Sequence, residues 1–263
     1  MLFLSVPLLI WLILHLILRS KPTREPYSVS HRGAGGLAPE NTLAAVSEAI
    51  TRGASFIEVD VQRSVDGTLV VIHDDTVDRT TDGTGKVGLL TFDEISSLDA
   101  GSYFSAEFSR EPIPTLDAIL ELVVERQATL VLEAKTPKLY PGIERQIAEA
   151  LQRADAYDQI IVISFDHEWL EHFHQLVPQV PLGKLSMWMG RSKPLPMTML
   201  VDVYWLSVIA DPTLISRAHA QGYQVVVWTV NATWAMKLLL WLGVDGVTTD
   251  RPDLWSQIVA GPQ

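Results

Sequence analysis

The 263-residue chain contains no cysteine, which excludes disulfides, thiolate zinc sites and a thiol nucleophile. Absent thiols suit oxidising and reducing surroundings alike, so they say nothing of compartment. Basic residues are scarce: 20 Lys and Arg stand against 31 Asp and Glu, a formal net charge of −11. No basic patch is visible, which argues against a nucleic-acid surface. An acidic chain can still act on an anion where a metal ion or a few focused cations reverse the local sign. Charged residues make up only 19% of the chain and hydrophobic ones 48%, too apolar for disorder and enough for a large core. The length suits one domain of about 240 residues.

Several familiar signatures are also missing. Residues 78–89 begin like a calcium loop, but Thr80 and Leu89 stand at its third and twelfth positions, so it fails as an EF-hand. His167, His172 and His174 lie near Glu168 without the His-Glu-x-x-His spacing, and read as a solvated helix face. Gly33-Ala34-Gly35-Gly36 lacks the spacing of a dinucleotide fingerprint and reads as a flexible loop. Asn41 reads as a helix cap and Glu40 as a first-turn acid. Asn231-Ala232-Thr233 is a glycosylation sequon in form only, because it opens a helix at a rim.

One long apolar run does occur, over residues 2–18, interrupted only by Ser5, Pro7 and His15. It predicts a single-pass membrane anchor over 1–20, followed by a linker over 21–26. At ~1.5 Å per residue the run spans about 25 Å, slightly short of a bilayer core. Arg19, Lys21 and Arg24 follow the run, which argues against a cleaved signal peptide and predicts a cytoplasmic location for the rest. The alternative is an apolar helix packed on the folded domain.

From Tyr27 onward, short β-branched runs alternate with amphipathic stretches, the pattern of parallel strands joined by helices. Strands are expected over 27–32, 56–61, 129–135, 160–165, 182–186, 203–208, 224–230 and 246–250. Helical patterns begin near Glu40, Thr115, Pro141, Asp166, Ser192, Asp211, Asn231 and Arg251. Eight such pairs predict an α/β fold, a TIM-type (β/α)8 barrel over 27–263. An extra run over 69–73 follows the second strand across an Asp66-Gly67 turn, and is expected as a hairpin extension placing His73 beside Asp60. Residues 74–114 then form an insertion at the barrel top.

Polar residues fall at the ends of these strands. Glu58 and Asp60 stand at i and i+2, hence on one face of the second strand, and Glu133 and Lys135 repeat the device on the third. Three converging carboxylates repel one another unless a cation sits among them, and their hard oxygens suit Mg²⁺ or Ca²⁺. His31 ends the first strand and His73 the hairpin strand, equivalent places where a pair of imidazoles can divide general acid and general base work. Arg32 offers a planar fork for an anionic oxygen.

The motifs His31-Arg32-Gly33, Pro39-Glu40-Asn41-Thr42, Glu58-Val59-Asp60, His73-Asp74, Arg79-Thr80-Thr81, Leu132-Glu133-Ala134-Lys135, Trp228-Thr229-Val230-Asn231 and Thr249-Asp250-Arg251-Pro252 resemble, in order, those of the glycerophosphodiester phosphodiesterase family. The resemblance runs from about Val29 to Trp255. It implies a metal-dependent hydrolase on a TIM-type barrel, cleaving glycerophosphodiesters to sn-glycerol 3-phosphate and an alcohol. It also implies Glu58, Asp60 and Glu133 as ligands of Mg²⁺ or Ca²⁺, His31 and His73 as the catalytic pair, Arg32 and Lys135 as phosphate-facing cations, and Trp228 as an aromatic wall for the substrate. Two further readings stay open. One is a membrane-associated lysophospholipase D, with apolar residues 187–189, 197–200 and 234–242 as an acyl groove. The other is a non-catalytic barrel that binds a phosphorylated ligand.

Overall fold

Runs such as Leu130–Ala134 and Ile160–Ser164, apolar on both faces, form strands that are covered on both sides. The structure, a computed structural model, describes residues 6–54, 56–188 and 198–259. Among them are β1 (Tyr27–Ser30), β2 (Phe56–Arg63), β3 (Leu69–Val71), β4 (Leu130–Ala134), β5 (Ile160–Ser164), β6 (Leu182–Ser186), β7 (Thr198–Tyr204), β8 (Gln224–Trp228) and β9 (Gly246–Thr249). Of these nine, β3 pairs antiparallel with β2. The other eight are parallel and close into a ring, because β1 pairs with both β9 and β2. The fold is therefore the TIM-type barrel expected.

Alternation along each strand sorts the core into two parts. Val29, Val131, Ile163, Leu185, Leu200 and Val226 fill the inside of the ring. Residues of opposite parity, such as Val203, Val225 and Val247, meet the surrounding helices. The covering helices include Leu43–Thr51, Leu116–Glu125, Ile143–Ala154, His167–Leu176 and Thr233–Leu242. Thr42, Thr115 and Asp166 cap three of them with side-chain oxygens. The segment after β3 has a small core of its own, with Val77, Val87, Ile95, Ala100 and Ile113 packed around Val70 and Ile72.

Two expectations change, and a third falls outside the described residues. The strand expected over 203–208 is β7, which spans Thr198–Tyr204, and Trp205–Ala210 is helical. The β-branched and aromatic residues that suggested a strand there instead pack Val208 into the outer core. The helix expected near Ser192 lies outside the described residues. Of the loop expected over Gly33-Ala34-Gly35-Gly36, the first residue is buried, and a Cβ there would lie 2.6 Å from that of Ala45, so its turn packs directly on the following helix.

The membrane anchor is overturned. Among the described residues no helix is long and apolar enough to cross a membrane. The N-terminal helix, Val6–Leu18, has 13 residues, about 20 Å at ~1.5 Å each. It lies against the barrel instead. Trp11 donates its indole N–H to the Ile209 carbonyl at 2.7 Å, and His15 is buried with Nε2 3.4 Å from the Val208 carbonyl. Arg19, read as a cytoplasmic flank, lies 5.0 Å over the Trp241 ring. The single-pass location, with a cytoplasmic catalytic domain, falls with the anchor. So does the membrane as a partner through this helix.

Candidate active site

Register brings the acids together. Asp60 of β2 stands beside Glu133 of β4, with Glu58 one inward step below. Oxygens of Glu58, Asp60 and Glu133 lie within 4.8 Å of one another, and all three side chains are buried. Two cations face them. Lys135 Nζ lies 2.8 Å from Glu133 Oε1 and 3.4 Å from Asp60 Oδ1, and Arg32 Nε lies 3.6 Å from Asp60 Oδ2. Three acids against two bases leave the cluster acidic. Glu58 Oε1 and Asp60 Oδ1 are buried and have no hydrogen-bond partner, so the donor set is short of positive charge. These hard oxygens fit a Mg²⁺ or Ca²⁺ ion.

The electrostatics follow from that crowding. Burial and the neighbouring Asp60 and Glu133 push the Glu58 carboxyl well above its ordinary range. Burial and Asp60 raise Glu133 to about 7, although Lys135 pulls it down. Against the upward push of burial, Lys135 and Arg32 hold Asp60 well below the usual carboxylate range.

The hairpin places the second histidine. Ile72 donates its backbone N–H to the Asp60 carbonyl at 2.9 Å, which sets His73 at the barrel mouth beside the acids. His31 follows β1 directly. Each imidazole leans on a carboxylate through Nδ1, His31 on Asp250 and His73 on Asp74, both at 2.6 Å. Burial, only partly offset by Asp60, lowers the pKa of His73. Asp74 in turn is held at about 2, first by the Arg79 guanidinium hydrogen-bonded to it. Arg79 continues to Glu40, whose Oε1 also accepts from Arg32 Nη1 at 2.7 Å. A chain of charges thus links His73 to Arg32.

Several of these partners escape a reading of the sequence. Asn41 is not a cap; Thr42 caps the helix, while Asn41 donates through Nδ2 to Asp60 Oδ2 at 2.8 Å and accepts the Asp60 N–H at 3.0 Å. Arg32 and Asn41 both adopt left-handed backbone, with φ of +52° and +60°. Asn231, expected at a helix start, donates to Asp250 Oδ2 at 2.6 Å. Asp74, Asp250, Arg79 and Asn231 appear in motifs, but nothing in spacing reveals which histidine or carboxylate they support.

Trp228 sits at the mouth, edge to face with Phe165 at 5.7 Å and beside Tyr204 at 5.5 Å. All eight residues expected at the site (His31, Arg32, Glu58, Asp60, His73, Glu133, Lys135 and Trp228) therefore meet at the C-terminal ends of the strands. Seven of them line one cavity of about 240 Å³, and Asp60 stands behind it, bonded to Asn41. A wider cleft of about 850 Å³ adjoins it past His73, Lys135 and Phe165.

The chain is similar to known proteins over most of its length. Over 237 residues the chain is 37% identical to a glycerophosphodiester phosphodiesterase of Caldanaerobacter subterraneus, covering 88% of this chain and 96% of that protein. It is 31% identical to glycerophosphodiester phosphodiesterase 1 of Bos taurus, over 80% of this chain and 73% of the relative. Among solved structures, a phosphodiesterase of Oleispira antarctica in complex with the product sn-glycerol-3-phosphate superposes with a TM-score of 0.83 at 29% identity. That match covers 90% of this chain and 98% of the other. Residues 31–254 match the glycerophosphoryl diester phosphodiesterase family, and the chain belongs to that family.

Proposed function

We propose that this protein hydrolyses glycerophosphodiesters to sn-glycerol 3-phosphate and an alcohol, with His31 and His73 as the general acid–base pair. The observation that carries the reading is the pairing of two carboxylate-anchored imidazoles, in one cavity, with a buried, cation-deficient triad at its wall. The activity named for the Caldanaerobacter relative and the product held by the Oleispira structure support it.

Glu58, Asp60 and Glu133 would hold a divalent cation, which when bound neutralises phosphodiester charge as a Lewis acid. Asn41 fixes one oxygen of Asp60, leaving the other directed at the cluster. Arg32 and Lys135 add positive charge where a pentacovalent phosphorus centre would develop negative charge. With Nδ1 of each imidazole engaged by a carboxylate, Nε2 is the nitrogen left to meet substrate. One ring removes the proton of the attacking oxygen and the other protonates the departing alkoxide. The Phe165 and Trp228 rings bound the mouth as an apolar wall.

The deciding experiment incubates purified protein with glycerophosphocholine, after chelation and after addition of Mg²⁺ or Ca²⁺. Choline release restored by the cation is the expected result. Equal release with and without the cation removes the metal from the reading. No release under any condition favours a phosphate-binding barrel without catalysis.

A further inference from the structure

The cavity under the imidazoles ends on a floor of Ile163, Leu185, Asp202 and Thr248. Two of these are unexpected inside a barrel. Strand parity turns Asp202 inward with Leu200, since Val201 and Val203 pack outward, and it turns Thr248 inward opposite Val247. Asp202 is 5% exposed and Thr248 2%, and neither Asp202 Oδ1 nor Thr248 Oγ1 has a hydrogen-bond partner among the described residues. The β7 backbone does not need this carboxyl: its ladder to β8 is complete through Tyr204, and the Asp202 carbonyl accepts from the Trp228 indole at 3.2 Å. Burying a carboxyl and a hydroxyl without partners lowers stability, so the fold alone does not account for them. A polar ligand reaching the floor would supply what both atoms lack.

The size of the cavity narrows the ligand. About 240 Å³ corresponds to about eight waters at ~30 Å³ each, room for a polyol phosphate and too little for a fatty acyl chain. The adjoining cleft of about 850 Å³ is wider and can take the alcohol. Its lining includes Lys138, Leu139 and His167, and it shares His73, Glu133, Lys135 and Phe165 with the cavity, so a phosphodiester would straddle that shared rim.

We infer that Asp202, together with Thr248, is a specificity-determining residue that binds the free hydroxyls of the glyceryl group, selecting deacylated glycerophosphodiesters over diesters whose glyceryl bears an acyl chain. Burial, reinforced by Glu133, raises the Asp202 carboxyl well above its ordinary range. Neutral or ionised, it can accept from a hydroxyl, and in the neutral form it can also donate. The inference rests on the glycerophosphodiesterase reading and names the part of the substrate that enters the cavity.

The test compares choline release from glycerophosphocholine with release from propylphosphocholine, which lacks the hydroxyls, and from lysophosphatidylcholine. In the unaltered protein kcat/KM favours glycerophosphocholine. In Asp202→Leu that preference over propylphosphocholine shrinks about 10- to 100-fold, whereas Asp202→Asn, which still hydrogen-bonds, keeps most of it. Asp202→Leu is also expected to melt at a higher temperature, because an unpartnered buried carboxyl has gone. A preference unchanged within about twofold in Asp202→Leu overturns the inference, as does an equal loss on both substrates with a lowered melting temperature. Lysophosphatidylcholine turned over as well as glycerophosphocholine by the unaltered protein overturns it too. Should the unaltered protein release no choline, the proposed activity fails by itself. Calorimetry with sn-glycerol 3-phosphate against propyl phosphate then decides this inference: tighter glycerol 3-phosphate binding that Asp202→Leu abolishes upholds it, and equal affinity overturns it.

Discussion

At the lower rim of the barrel Asp245 is fully buried and has four partners at 2.5 to 2.7 Å: the Thr23 N–H, the Thr23 hydroxyl, the Val225 N–H and His219 Nε2. At the upper rim Glu58 and Asp60, nearly as buried, each keep one oxygen without a hydrogen bond, Asp60 Oδ1 having only the Lys135 ammonium at 3.4 Å. Both sites hold buried carboxylates in one ring of strands, so burial does not separate them. Saturation does. A carboxylate that serves only the fold has its lone pairs filled by the chain itself, while one that serves a ligand is left short. Asp245 accordingly joins the segment ahead of β1 to the last strands, whereas the upper cluster keeps acceptor capacity that the chain itself does not fill.

Substitutions can break that comparison. The largest effect is expected at the histidines: His31→Ala and His73→Ala should each lower kcat by about 10²- to 10⁴-fold, ~3–5 kcal/mol of transition-state stabilisation. Their melting temperatures should stay near that of the unaltered protein, read by calorimetry. A variant with near-normal turnover would remove that ring from the acid–base pair. Next comes Asp245→Ala, which strands the Thr23, Val225 and His219 partners at once. It should cost about 3 kcal/mol, a fall of about 6–12 °C in Tm, while the folded fraction keeps its kcat. A Tm unchanged by this substitution would show that saturation at the lower rim contributes little. Smallest is Asp74→Asn, expected to reduce kcat about tenfold by loosening His73. Removing a carboxylate that favours the imidazolium lowers the pKa of His73 further, so the limb of the pH–rate profile set by His73 should move to lower pH. A profile that stays in place would mean that another group sets that limb.

The upper rim was more legible in the sequence than the contacts that support it. Glu58-Val59-Asp60 and Glu133-Ala134-Lys135 declare a common face through period-two alternation, and Asp66-Gly67 marks the hairpin that carries His73. Asp250 gives no such signal, since its partner His31 lies 219 residues away and no local pattern records the meeting. Asn41 misleads because a cap and a bond to a distant carboxylate call for the same side chain. The seventh strand is displaced because Val203, Tyr204 and Trp205 suit a strand, and the chain turns into a helix at Trp205 to pack Val208. Asp202 was hidden for the same reason: with the strand placed too late, it fell outside the barrel wall. The N-terminal run shows the limit of composition. Its hydropathy fits a bilayer, yet Trp11 and His15 meet main-chain carbonyls of the barrel.

The two imidazoles at the mouth are mounted differently. His31 continues β1, a member of the closed ring, whereas His73 rides on β3, a three-residue excursion outside the ring and steadied by the small core of residues 74–114. Insertions or deletions in that outer module would therefore shift the His73 imidazole while that of His31 stays fixed. The fold thus mounts one imidazole on the closed ring and the other on a separately packed module outside it.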